Sequence, residues 1–290
     1  MAVDVRDRAI EPVTDSDAGG WKDVLVSTWR ATKADNVPLL AAGVAFFALL
    51  ALVPALVALV SVYGLVADPT QVERQVSDLL GAAPTEVREL IETQLESVVD
   101  SSNTGIGLGV LVGLLVALWS ASSGMRHLVA AVNAAYNESE TRPFLRLRGL
   151  SLLLTLGAIL FVAAAFGTIA LLPALLEGTG TSDVARSVIN VLRWPLLAVA
   201  MAVGLAVLYR FAPNREEPRW EWASIGALVA TVLWIVVSLA FSVYAANFGR
   251  FNDTYGSLGA IVVVMLWLYL TAYVVIAGAE LNAELEQARR

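Results

Sequence analysis

Four stretches of this chain run without a single charged side chain: residues 37–67, 149–176, 222–249 and 255–279. Each exceeds the roughly 20 residues with which a helix crosses about 30 Å of hydrocarbon. In lipid every backbone polar group must be satisfied within the segment, so such stretches fold as helices. Composition agrees: 58% of the 290 residues are hydrophobic and 16% charged, against about 25% charged in soluble domains. The expected fold class is all-α, a polytopic membrane helical bundle of about six transmembrane helices.

The spans are read at 38–66, 105–135, 149–176, 189–211, 223–246 and 257–284. Pro38 suits the first turn of the first span, where a missing N–H costs nothing. Pro54 and Pro195 are read as independent kinks. Gly105, Gly109 and Gly113 make two GxxxG steps, a signal for a close helix crossing. Residues 21–286 then form one membrane domain, with a polar, disordered tail at 1–20 and a short tail at 287–290. Lys and Arg set the orientation. With the N-terminus inside, thirteen fall on the cytoplasmic side and five outside, and Arg126 lies within the second span. Both termini are therefore expected in the cytoplasm.

Two amphipathic pieces lie outside the spans. Trp21, Leu25, Thr28, Trp29 and Thr32 share one face of a short helix, with Lys22, Arg30 and Lys33 elsewhere, the pattern of an interfacial helix on the inner leaflet. Residues 69–100 read as an extracytoplasmic helical hairpin that either packs over the bundle or forms a lid. The segment from Asp68 to Asp100 holds eight acids against Arg74 and Arg88, which accounts for most of the net charge of −7. No basic stripe invites nucleic acid.

Chemistry has few residues to work with. One histidine and no cysteine exclude a nitrogen or sulfur metal centre, and no phosphate-binding loop or nucleophile elbow is present. No catalytic residue, metal site or cofactor is expected. What remains is polar residues at membrane depth, which usually face a bundle interior or a water-filled path. On the second span Ser122, Arg126, Asn133 and Asn137 are spaced by four, seven and four, with Tyr136 adjacent and His127 to the side. On the last span Tyr273, Glu280 and Glu284 share a face, with Asn282 beside it. Counted from the outer ends of their spans, Arg126 and Glu280 fall at similar depth, so an ion pair is possible, as is independent snorkelling. Arg250, Asn252, Asp253 and Tyr255, in a polar, turn-rich segment before the last span, form either a connector or an outer head-group site.

The same segments carry a family resemblance. PLLAAGVAFFALLALVPALVAL at 38–59, LWSASSGMRHLVAAVNAAYNESETRP at 118–143 and NDTYGSLGAIVVVMLWLYLTAYVVIAGAELNAELE at 252–286 resemble the YihY/BrkB family of bacterial inner-membrane proteins, historically labelled ribonuclease BN-like. The likeness runs from Trp21 to Glu286. It implies about six spans, a bacterial inner membrane, and a suggested link to export of lipid-type molecules. The expected function is transport or flipping of a lipid or other amphipathic molecule, with membrane lipids as partners. A non-catalytic scaffold that binds protein partners is the alternative, and ribonuclease activity is disfavoured. Substrate, energy source and oligomeric state are not legible.

Overall fold

The computed structural model describes residues 21–64, 108–171, 183–215, 220–255 and 257–288. The hairpin expected at 69–100, the tail at 1–20 and Gly105 lie outside them. Every element among the described residues is helical. In chain order these are α1 (Trp21–Ala34), α2 (Val37–Gly64), α3 (Leu108–Ala135), α4 (Phe144–Phe166) continuing into a π-turn at Gly167–Leu171, α5 (Asp183–Phe211), α6 (Trp220–Tyr255) and α7 (Ser257–Gln287). Five helices, α3 to α7, are long and apolar enough to cross a bilayer, and the pair α1–α2, bent by 63° at its joint, brings the number to as many as six.

Local chemistry explains the joints. Asp23 in the first turn of α1 and Lys33 in its last complement the partial charges of the helix ends. Asn36 then takes φ = 52°, the left-handed conformation that stops helices and that asparagine tolerates. Its carbonyl accepts the N–H groups of Leu39 and Leu40, at 2.8 and 3.1 Å, and so starts α2. α3 ends the same way. Asn137 has φ = 56°, the Glu138 N–H donates back to Asn133 O (2.9 Å) and the Asn137 N–H to Ala134 O (2.9 Å). This is a Schellman closure built on asparagine in place of glycine. Pro143 then leads into α4 with φ = −58°.

Three helices exceed their expected spans. α4 begins at Phe144 rather than 149, α5 at Asp183 rather than 189, and α6 continues to Tyr255 rather than stopping near 246. The segment around Arg250, Asn252, Asp253 and Tyr255 is therefore helical, not turn-rich. An apolar window locates hydrocarbon, whereas an arginine such as Arg148 or Arg186 ends the window without ending the helix. Both Pro54 and Pro195 lie inside helices.

The helices close a ring. α2 packs on α3 and α7, α3 on α4, α5 on α6 and α6 on α7, while α4 meets α5 only sparsely; α7 also reaches α1 and α3. Val24 of α1 packs with Leu281 and Leu285 of α7, which places the start of the membrane domain and its end at one end of the ring. That proximal end holds the core: Val37, Val129, Val132, Tyr209, Ala230 and Ile276 are among its most buried members. Small residues permit close approach there. A Cβ added to Gly226 of α6 would lie 2.5 Å from Asn282 Cγ, and one added to Gly278 of α7 would lie 2.5 Å from the Tyr209 hydroxyl and 2.7 Å from Ala230 Cβ. Gly124 of α3 likewise sits against Ala51 and Phe47 of α2. In the distal half the packing thins: no described side chain of α5 before Leu205, of α6 after Thr231, or of α7 before Ala272 is buried.

Candidate functional site

The polar residues of the proximal half form three clusters. The first ties the α3–α4 loop to the end of α5. Asn133, buried on α3, donates through Nδ2 to Glu140 Oε2 (2.9 Å) and accepts the Asn214 N–H on Oδ1 (2.8 Å). Glu140 receives Arg142 Nε at 2.7 Å and Nη2 at 2.6 Å, a bidentate fork. Arg142 also donates to carbonyls at the end of α5, to Ala212 O at 2.8 Å and Phe211 O at 3.4 Å, where a cation complements the helix dipole. Asn214 Nδ2 donates to Ser139 O and Thr141 Oγ1, at 2.9 and 2.7 Å. Arg142 holds the Glu140 carboxyl below its ordinary value, chiefly through the hydrogen bonds of its side chain.

Behind this clasp lies a second layer. Arg215 Nη1 meets Glu286 Oε2 at 2.5 Å, both side chains nearly buried. Arg215 Nη2 donates to Tyr209 O (3.1 Å), and the guanidinium sits 4.2 Å above the Tyr136 ring. The Tyr136 hydroxyl hydrogen-bonds with the Asn282 side chain, while burial, the larger effect, pushes its pKa up to about 12. Asn282, fully buried, accepts the Gly226 N–H on Oδ1 (2.8 Å). The Tyr209 hydroxyl donates to Val275 O (2.7 Å). A third group gathers at the corner of α1, α2 and α7, where buried Glu280 faces Asp35, with which it hydrogen-bonds, and Glu284.

Arg126 belongs to none of these. Its neighbours are Arg148 on α4 and the His127 imidazole, and His127 stacks on Phe47 of α2 with ring centroids 3.4 Å apart. The suggested pair with Glu280 is not formed. Arg126 lies at the level of Phe47, and Glu280 at the level of Asp35 just before α2. Ten residues of helix between Val37 and Phe47 rise about 15 Å. A count of residues along two spans therefore did not predict where their proximal ends stand relative to each other. Arg148 is 3% exposed. It donates to the Trp119 carbonyl and to Ser123 Oγ (3.4 Å), and lies 3.9 Å over the Trp119 ring. Its Nε is buried without a hydrogen-bond partner. Ser122, buried, donates to the same Trp119 carbonyl (2.8 Å).

The stripe expected on α3 is thus divided among separate neighbours. Ser122 and Arg126 stand by α4, Asn133 and Tyr136 by the α5 end and α7, and Asn137 is an exposed turn residue. Glu280 and Asn282 part company in the same way, and Glu284 joins the acidic corner. Arg250, Asn252, Asp253 and Tyr255 lie on the last turns of α6, and their side chains are outside the described set. Sequence reasoning missed Asp35, Glu140, Arg148, Tyr209, Asn214, Arg215 and Glu286 as members of any cluster. The available signal was polar density in the segment YNESETRP directly after a span. No spacing rule links Arg142 to a carbonyl seventy residues away. Among the described residues no group of three His, Cys, Asp or Glu side chains is arranged to hold a metal ion.

Comparison with known proteins adds the family. The model of the family described as virulence factor BrkB matches residues 28–290. A ribonuclease-like protein, YfkH, of Bacillus subtilis is 32% identical over 261 residues, covering 86% of this chain and 90% of its own length. A membrane protein of the UPF0761 group from Tolumonas auensis is 29% identical, covering 89% of this chain and 83% of its own. Another from Rhodospirillum centenum is 28% identical over 86% of this chain, which spans only 54% of that longer relative. No solved structure matches.

Proposed function

The chain belongs to the BrkB family of bacterial membrane proteins, and from that premise we propose that it moves a lipid or other amphipathic molecule across the inner membrane, with both termini in the cytoplasm. The observation that carries this reading is the contrast along the bundle axis. The proximal end is sealed by the Asn133–Glu140–Arg142 clasp and the Arg215–Glu286 pair, while the distal halves of α5, α6 and α7 bury no described side chain. Alternating access needs one closed and one unsealed end about a path. Amphipath movement further needs polar groups at more than one depth. Arg126 and Arg148 stand at one; at another, Arg193 donates from the distal half of α5 to Ile169 O in the π-turn (3.3 Å), and π-turns recur at functional sites.

The scaffold reading keeps one observation in its favour, since unburied apolar faces on α5 and α6 can also be covered by a partner. The ribonuclease-like name of the Bacillus relative finds less support here: Glu140 and Glu286 are each engaged by an arginine rather than left as an acid and base facing a groove. The test is lipid scrambling. In proteoliposomes, headgroup-labelled lipid on the inner leaflet should become accessible to an external quencher faster with protein than without. No acceleration across anionic, zwitterionic and glycosylated lipids would end the transport reading.

A further inference from the structure

Arg148 is almost wholly buried between α3 and α4, yet all of its partners are neutral: a carbonyl, a hydroxyl and an indole face. Its Nε–H points at no acceptor. Beside it stands a second, half-buried cation, Arg126, which among the described residues makes no hydrogen bond or ion pair and whose field is felt by Arg148. Among the described acids, Glu140 is engaged by Arg142 and Glu286 by Arg215, while Glu280 faces Asp35 and Glu284 at another corner. A buried guanidinium without a counter-charge is costly, and a like charge beside it adds to the cost. An anion seated on the open donors of Arg126 beside Arg148 would supply the missing counter-charge. A guanidinium offers five N–H donors in a planar fork suited to phosphate oxygens, and the two forks come from adjacent helices, with the Ser123 hydroxyl accepting from Arg148.

We propose that Arg126 and Arg148 form a binding site for a phosphate-bearing anion at the α3–α4 seam. The inference rests on the transport reading only for the anion's role as cargo; the site itself stands on the unpaired charges. Trp119, whose ring lies under the Arg148 guanidinium, is 49% exposed, and such an open seam suits the head group of an anionic phospholipid whose chains remain in hydrocarbon. A free phosphate group would satisfy the same donors.

The experiment uses the full chain in detergent and in nanodiscs. Native mass spectrometry measures retention of phosphatidylglycerol against phosphatidylcholine, and titration with inorganic phosphate followed by thermal unfolding tests the free anion. Arg148 also fastens α4 to α3, so the decisive variant is Arg126→Gln, with Arg126→Lys as a charge-keeping control. Wild type should retain phosphatidylglycerol in preference to phosphatidylcholine, and Arg126→Gln should weaken this about tenfold, the equivalent of a charge-assisted hydrogen bond. Arg126→Lys should recover part of it. Stabilisation by inorganic phosphate that Arg126→Gln abolishes, without phospholipid preference, would support the anion site with a soluble source. Equal binding of both probes by wild type and a well-folded Arg126→Gln would overturn the proposal. Scrambling assays on the same proteins separate the two readings: binding lost with Arg126→Gln in a protein that never scrambles lipid leaves the site standing and removes transport.

Discussion

The proximal and distal halves of this bundle are built from the same apolar alphabet and pack differently. Proximally, α6 and α7 cross so closely that Gly226 and Gly278 have no room for a Cβ. Buried Asn133, Tyr209 and Asn282 there hydrogen-bond across chain segments. Distally, Leu196, Val199, Val203 and Leu239 are each more than half exposed. The comparison teaches where membrane proteins obtain specificity. Lipid tails are as apolar as leucine, so hydrophobicity alone gives no reason for one helix to prefer another. Close backbone approach and paired polar groups supply the reason, and here they are concentrated at one end. Among the described residues the other end has fewer such fasteners, Arg193 to Ile169 O and Trp234 to Thr271 being two, which suits an end that changes its separation.

The strongest way to break the contrast is to disturb the closest crossing. Gly226→Ala and Gly278→Ala each place a methyl group 2.5 Å from side chains of the other helices. Real Cβ contacts are not made at that distance, so α6 and α7 must separate. The cost should exceed the usual overpacking range of about 1–3 kcal/mol. Thermal unfolding in detergent should show both variants severely destabilised or not recoverable, and wild-type midpoints would disprove the crossing. Next comes the Arg215–Glu286 pair. Arg215→Met should cost about 2–3 kcal/mol, somewhat below the ~3–5 kcal/mol of a fully buried broken pair, because the two side chains keep 8% and 12% exposure. Arg215→Met combined with Glu286→Gln should be milder than the sum of the single changes.

These two predictions also mark what was legible. The fold class, the helices themselves and the resemblance to the family could be read because long charge-free segments and local motifs are properties of neighbours in sequence. Gly226 and Gly278 were not singled out, since the GxxxG signal drew attention to Gly105, Gly109 and Gly113 instead. A lone glycine on each of two helices carries no periodic mark. Among the candidate residues, Asn133, Tyr136 and Asn282 do converge. Arg126 and Glu280 do not, because a shared depth estimated from span ends cannot register the rotation of α3 toward α4 or the offset of α7. Arg142 and Asn214 were passed over as loop residues, although they close the proximal end, since loop contacts depend on where helices finish in space.

A weaker perturbation acts on the clasp through pH. Arg142 depresses the folded-state Glu140 carboxyl below its ordinary 4.5. A depressed carboxyl contributes stability that is present above the unfolded value and is lost as pH falls through the folded value. Acidification from neutrality should therefore leave the clasp intact until about pH 4.5 and remove its contribution below that. The Glu140 side chain keeps 27% exposure, so with solvent screening the loss should stay under about 1 kcal/mol. Glu140→Gln should lower neutral-pH stability by that amount and flatten the acid limb, and an unchanged acid limb in the variant would assign the pH dependence to other groups.

The smallest expected effect is also the sharpest test of the comparison. Val132 is fully buried on α3 and Val199 is 60% exposed on α5. Val132→Ala deletes two methyl groups from a packed core, where neighbours relax only partly, and should cost about 1–2 kcal/mol. Val199→Ala deletes the same two groups where lipid or detergent chains can flow into the space, and hydrocarbon there replaces hydrocarbon. Its effect should stay within about 0.5 kcal/mol. If both substitutions cost the same, the distal face of α5 is covered in the working protein, by a second copy or by another membrane helix, and the unsealed end belongs to the isolated chain. If Val199→Ala is silent in stability yet alters the rate of lipid scrambling, the distal half touches the moving molecule. Thermal unfolding and scrambling measured on both variants in one lipid composition distinguish a covered surface from a transport path.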